Sequence, residues 1–135
     1  MSKYLLILAL LGCTSAFAQT KQQPTTATNG KQLYAQYCLS CHQEDGEGVP
    51  NMNPPLTQTS YVLGDKKKLI AWVLKGSGTE KVPIDGNTYS NNMPPQAGLK
   101  DDEIAKILTY IRSHFDNKAS AVSAAEVKAV RETVK

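Results

Sequence analysis

Aromatic residues are scarce in this chain of 135: two Phe, one Trp and six Tyr make up 7%. The length allows one small domain with no second core. An interior built from so few large side chains would be thin, and a large buried apolar group could complete it. Long hydrophobic runs are also lacking, and the stretch from Tyr4 to Gly12 is too short to cross a bilayer. No internal repeat occurs, and 41% hydrophobic with 20% charged residues excludes collagen, coiled coil and wholesale disorder. The formal net charge is +3, with basic residues scattered except at Lys66, Lys67 and Lys68, which gives no footprint for nucleic acid. Gly46-Glu47-Gly48 has no strand before it and no helix after it, so it is not a phosphate loop.

What is present begins with an export pattern. Lys3 is a minimal positive region, Tyr4 to Gly12 is apolar, and Ala16-Phe17-Ala18 matches a cleavage site. A competing reading takes Leu10-Leu11-Gly12-Cys13 as a lipobox, which would leave a lipid anchor on Cys13. The organisation expected is a signal peptide over 1–18, a polar linker over 19–28, one domain over 29–116 and an extension with a short helix over 117–135. The protein is expected to be exported to a periplasm, in soluble form or, on the second reading, as a membrane-anchored lipoprotein.

The domain reads as all-α. Asn29 can cap a helix from Gly30 to Tyr37 that delivers Cys38. Gly and Pro between Gln43 and Tyr61 forbid a long helix there and favour a loop wrapped around something. A second helix is expected from Lys66 to Lys75, capped by Asp65, stopped at Gly76 and burying Leu69, Ile70, Val73 and Trp72. Asp85-Gly86 suggests a short hairpin or tight turn within Val82 to Tyr89, followed by a Pro-rich loop holding Met93. The strongest periodicity, Ile104, Ile107, Leu108, Ile111 and Phe115, predicts a helix from Asp101 to Phe115. Ser123 and Glu126 form a capping box for a tail helix that puts Val127, Val130 and Val134 on one face.

Cys38-Leu39-Ser40-Cys41-His42 is a C-x-x-C-H motif, which in an exported protein reads as a covalent haem attachment site. Two thiols about one helical turn apart can reach the two vinyl groups of one haem, while the adjacent imidazole turns onto the iron. Zinc would need a fourth ligand, and the chain offers only His114 and carboxylates at no recognisable spacing. A thioredoxin-like pair would open a helix in a βαβ pattern, whereas these cysteines close one. A structural disulfide would leave His42 without a role.

From Gly30 to Phe115 the chain resembles the class I, mono-haem cytochromes c of the bacterial exported type. The resemblance implies a small fold of three to four helices wrapped around one covalently bound haem c, with long Gly/Pro-rich loops. It implies that the helix carrying Gly30 and Tyr34 crosses the Asp101–Phe115 helix, with contacts to residues such as Leu108 and Ile111. It also implies that the Pro54 carbonyl accepts the Nδ1 proton of His42, fixing the tautomer of the iron ligand.

Met93 is the candidate sixth ligand, far beyond His42 in a Pro-stiffened loop that looks like the family's stretch before the distal methionine. Its rivals are Met52, His114 and no protein ligand. His114 also reads as a helix-end histidine facing the dipole, and Trp72 and Tyr61 as core residues or as hydrogen-bond donors to haem propionates. Lys100 stands where the family often has a Ser or Thr cap, so Asp101 is expected to take that duty. A His/Met pair favours reduced iron and suits a one-electron carrier that is not itself an enzyme. The partners expected are redox proteins: a dehydrogenase, reductase or oxidase. The alternatives are a permanent subunit of a periplasmic dehydrogenase or nitrite reductase, docked through the Val127, Val130 and Val134 face, and a haem enzyme or gas sensor with an open sixth position. The three lysines read either as a solvated face or as a patch steering an acidic partner.

Overall fold

Asn29 starts the first helix, α1 (Gly30–Tyr37), by accepting the N–H of Gln32 at 3.0 Å. The computed structural model describes residues 29–134 apart from 80 and 82, so the expected leader, its lipobox alternative at Cys13, and the linker lie outside the described residues. The helix buries Leu33 and Tyr34. At Cys38 the backbone kinks (φ −121°, ψ −33°), and a separate turn, α2 (Leu39–His42), follows before Gln43 ends it at φ 64°. The cysteines therefore do not simply close one helix: Cys38 is the hinge between two, and Cys41 lies within the second.

A short α3 (Ser60–Leu63) interrupts the region expected to be loop. Thr59 caps it through the Val62 N–H at 3.3 Å, and four residues are too few to show a 3.6-residue period in sequence. The next helix, α4 (Lys66–Lys75), has the expected bounds, with Asp65 accepting from Lys67 and Lys68 and with Leu69, Ile70, Val73 and Leu74 buried. Trp72 is only half-buried, which corrects its assignment to the core.

The last two helices are α5 (Asp101–Ser113) and α6 (Ala124–Arg131). Helix α5 stops two residues earlier than the apolar stripe suggests. His114 turns extended and Phe115 and Asp116 adopt φ 56° and 58°, which swings Phe115 back onto Tyr34 at 5.2 Å between ring centroids. The Ile111 carbonyl, which the His114 N–H reaches only at 3.4 Å, accepts the Asn117 side-chain amide at 2.8 Å, so Asn117 plugs the helix end. At the other end Glu103 reaches back to the Lys100 N–H at 2.8 Å. Asp101 does not take the capping duty; it pairs with Arg131 at 2.7 Å instead.

Helix α1 crosses α5, and α6 packs on both α5 and α4. The crossing has no room to spare: a Cβ on Gly30 would lie 2.3 Å from the Lys106 carbonyl oxygen and 2.7 Å from Tyr110 Cβ. Tyr34 stacks on Tyr110 and Phe115, while Leu108 and Ile111, nominated as its partners, line the interior cleft. On α6, Val127 is fully buried and Val130 nearly so, each burial contributing roughly 1.5–3 kcal/mol. Val134, just beyond the helix, packs on the same core. The tail's apolar face is therefore spent inside the molecule, which removes it as a docking surface for a larger complex. Lys66 is committed too, donating to Glu126 and to the Ala121 carbonyl at 2.8 Å each, so only Lys67 and Lys68 stand free of the tail.

Among the described residues there is no strand; Ile84 and Asn87 exchange two backbone hydrogen bonds, at 2.9 and 3.0 Å, around Asp85-Gly86. This is the tight turn expected there, without a sheet. No described helix is long and apolar enough to cross a membrane.

Candidate functional site

The helices leave a cleft whose apolar wall is Val62, Leu69, Val73, Ile107, Leu108 and Ile111, supplied by α3, α4 and α5. Cys38, Cys41 and His42 line the same cleft, as do Pro54 and Met93. All five sequence-nominated residues thus meet in one place. Met52 does not join them; it is 45% exposed and is not among the residues that line the cleft. His114 does not join them either. It caps α5 on the outside, its Nδ1 3.0 Å from the Tyr110 carbonyl and its ring 4.1 Å from that of Tyr110.

His42 is delivered by the single turn α2, whose amide bonds to the Cys38 carbonyl at 2.9 Å. Its Nδ1 lies 3.0 Å from the Pro54 carbonyl oxygen, which as acceptor places the proton on Nδ1 and leaves the Nε2 lone pair free. Burial lowers the imidazole pKa and the Pro54 bond opposes that shift, a balance that favours the neutral ring over the charged one. Cys38 is half-buried, and burial, with the neighbouring Cys41, pushes its thiol up to about 12. Cys41 is exposed, and the two thiols are not joined to each other.

Met93 is half-buried in a loop clamped to the end of α4. Its N–H donates to Ser77 Oγ at 2.8 Å, and its carbonyl accepts the Ser77 N–H at 3.0 Å. Gly76 makes this approach possible: φ is +69°, and a Cβ there would lie 2.4 Å from the Met93 carbonyl oxygen. Gln96 extends the clamp through its N–H to the Val73 carbonyl at 3.0 Å. Lys81 adds a tether, its Nζ donating to the Ser90 carbonyl and, at 3.3 Å, to Asn92 Oδ1. None of Ser77, Gln96 or Lys81 carries a sequence signal for this role, since their partners, backbone groups apart from Asn92 Oδ1, are brought near only by folding.

Trp72 and Tyr61 both line the cleft and pack edge to face at 5.5 Å, so the pair forms part of its rim. Among the described residues no group of three or more His, Cys, Asp or Glu is arranged to hold a bare metal ion. The donor set is one neutral imidazole, one thioether and two unpaired thiols around an apolar cleft. That set suits a flat apolar macrocycle carrying its own iron, and it fits haem c.

Comparison with known proteins agrees. The cytochrome c family model matches residues 27–115. Cytochrome c-552 of Thermus thermophilus is 33% identical over 112 residues, spanning 76% of this chain and 84% of its own. Cytochrome c-551 of Bacillus subtilis (strain 168) is 30% identical over 114 residues, spanning 80% and 86%. The fructose dehydrogenase cytochrome subunit of Gluconobacter japonicus is 35% identical over 117 residues, 79% of this chain but 23% of that longer subunit. The chain belongs to the cytochrome c family and is an electron carrier with one covalently bound haem c.

Proposed function

We propose that Cys38 and Cys41 form the two thioether links to the haem, that His42 and Met93 are its axial ligands, and that the Pro54 carbonyl orients His42. The observation that carries this reading is the convergence of the C-x-x-C-H segment, its Pro54 acceptor and the clamped Met93 on one apolar cleft. When bound, the haem supplies a one-electron couple at its iron. The chain's own residues do the rest. Pro54 holds the proton on Nδ1 of His42 so that Nε2 faces the metal. Ser77 and Gly76 hold the Met93 backbone against α4, which favours a rigid sulfur donor over a mobile one. Val62, Leu69, Ile107, Leu108 and Ile111 exclude water, keeping the local dielectric low.

With haem bound, His42 and Met93 would both be engaged at its iron and would leave no place there for a substrate, as a carrier that is not an enzyme requires. The protein exchanges electrons with dehydrogenases, reductases or oxidases as a free shuttle in an exported compartment. Support for the free form comes from the tail, whose valines are consumed internally. Support for export is the leader pattern ending at Ala18.

The test has two parts. The pyridine haemochrome spectrum of the purified protein should be of the two-thioether type, and haem should stay on the chain through acid-acetone extraction. Met93→Ala should abolish the near-infrared sulfur-to-iron charge-transfer band and lower the potential, while Met52→Ala should do neither. The reverse pattern would move the ligand to Met52.

A further inference from the structure

One buried charge plays no part in attachment or ligation. Arg112, in the last turn of α5, is 3% exposed. Its Nε donates to the Ser120 carbonyl at 2.7 Å, and its Nη1 to the Val62 carbonyl and, at 3.4 Å, to the Gly64 carbonyl. Its Nη2 lies 3.5 Å from Ser120 Oγ. Every acceptor is neutral. The ion pairs among the described residues join Lys66 to Glu126, Lys106 to Asp102 and Arg131 to Asp101, and none reaches Arg112. A guanidinium does not lose its proton in proteins, so the fold encloses a full positive charge with no anion among the described side chains beside it.

The backbone that carries that charge and the backbone it holds both border the haem cleft. Ile111, the residue before Arg112, lines the cleft, and so does Val62, whose carbonyl the guanidinium holds. When a redox partner delivers one electron, the cleft gains one negative charge, and no bond need form or break. A fixed positive charge in a low-dielectric wall stabilises the state with the extra electron.

We infer that Arg112 sets the reduction potential of this carrier, raising it through a buried charge that no described side chain pairs. The inference rests on a haem in the cleft but not on which side chains ligate its iron. Bridging Val62, Gly64 and Ser120 needs only hydrogen-bond donors; the charge is the part that bridging leaves unexplained.

The experiment is spectroelectrochemical titration of the haem-loaded protein and of Arg112→Gln, Arg112→Lys, Ser120→Asp and Ser120→Asn. Arg112→Gln should raise the ferric-to-ferrous ratio at a fixed applied potential by roughly three- to tenfold, the size expected of one buried unit charge nearby. Arg112→Lys keeps the charge and should stay close to wild type. Ser120→Asp places a carboxylate beside the guanidinium and should shift the ratio in the same direction as Arg112→Gln, whereas Ser120→Asn should not. The Arg112→Gln shift should survive added salt, because a buried charge is poorly screened. Equal shifts in Arg112→Gln and Arg112→Lys would make the effect structural and overturn the inference. So would an unchanged ratio in Arg112→Gln. Should that variant fail to mature, the Ser120 pair decides, since both keep Arg112, and equal ratios in the two would overturn it. The near-infrared band is recorded on every variant. A shift accompanied by loss of a band present in wild type would assign the change to ligation and also overturn the inference, while absence of the band from wild type itself would overturn the Met93 assignment alone.

Discussion

The Asn91 side-chain amide donates to Asn53 Oδ1 at 3.1 Å, tying the loop that carries Met93 to the loop that carries Pro54. Two backbone bonds reinforce the seam, Ser90 N–H to the Asn51 carbonyl at 2.9 Å and Asn91 N–H to the Met52 carbonyl at 3.0 Å. The support of His42 and the support of Met93 are thereby one assembly, and slack in one loop is felt in the other.

Asn91→Ala should expose that coupling. Asn53 is 9% exposed, and leaving its side-chain oxygen without a donor costs roughly 1–3 kcal/mol. Added imidazole should displace the sixth ligand more readily in the variant, by several-fold in apparent affinity, as read from the visible spectrum. Unchanged imidazole affinity would show that the seam does not bear on Met93.

Gly30→Ala should destabilise the fold without touching the haem chemistry. Its new methyl meets the Lys106 carbonyl oxygen at 2.3 Å, so α1 and α5 must part, at a cost typical of overpacking, about 1–3 kcal/mol. Urea unfolding of the haem-loaded protein should show a lower midpoint, with the potential and the near-infrared band as in wild type.

The tail should loosen in acid. The Lys66 hydrogen bond, followed by those from the Ser123 N–H and hydroxyl, lowers the Glu126 carboxyl from 4.5 to about 2. A folded-state value below the unfolded one means that the carboxylate's contribution is complete above about pH 4.5 and is lost as pH falls through about 2. Hydrogen exchange in α6 should accelerate over that window in wild type. In Glu126→Gln and Lys66→Gln it should already be faster at neutral pH and change less between pH 5 and 2. The same result would place Lys66 in the tail latch.

Loss of haem should unfold much of the chain. Val62, Leu69, Val73, Ile107, Leu108 and Ile111 turn toward the cleft, so without the macrocycle a large share of the apolar surface faces water. The double variant Cys38→Ala/Cys41→Ala, produced without haem, should show strongly reduced helical circular dichroism. A native-like helical signal in that variant would show that the protein core suffices alone.

Local signals in the sequence carried much of this molecule. Helix α4 appears with both expected bounds because Asp65 and Gly76 mark its ends by chemistry that acts over one turn. The capping box at Ser123 and Glu126 likewise announces α6. The C-x-x-C-H segment announces its own candidate site, because Cys38, Cys41 and His42 are neighbours in the chain. The resemblance extended that reach to Pro54, whose carbonyl carries no side-chain signal, and the structure places it 3.0 Å from His42.

Other assignments depended on pairings across long stretches of chain. Sequence alone nominated Met93 over Met52 by its proline-stiffened loop, but it could not place either side chain; the clamp on Ser77 and Gly76 decides which one lines the cleft. The valine stripe of the tail read equally well as a surface for another protein, since amphipathicity states that a face must be covered and not by what. Folding covers it with α4 and α5. No motif singled out Arg112, and Asn117 marked only the start of the extension over 117–135. Both are buried, because their partners at Val62, Gly64 and Ser120, and at Leu56, Gln58 and Ile111, are backbone groups. Every residue offers the same carbonyl and all but proline the same amide, so no pattern of side chains can encode such a contact. The sequence by itself determined α1, α4 and α6 with their caps and the C-x-x-C-H motif, which are written over a few residues each; the clamp on Met93, the docked tail and the buried charge were decided only when chain segments as many as 60 residues apart came together.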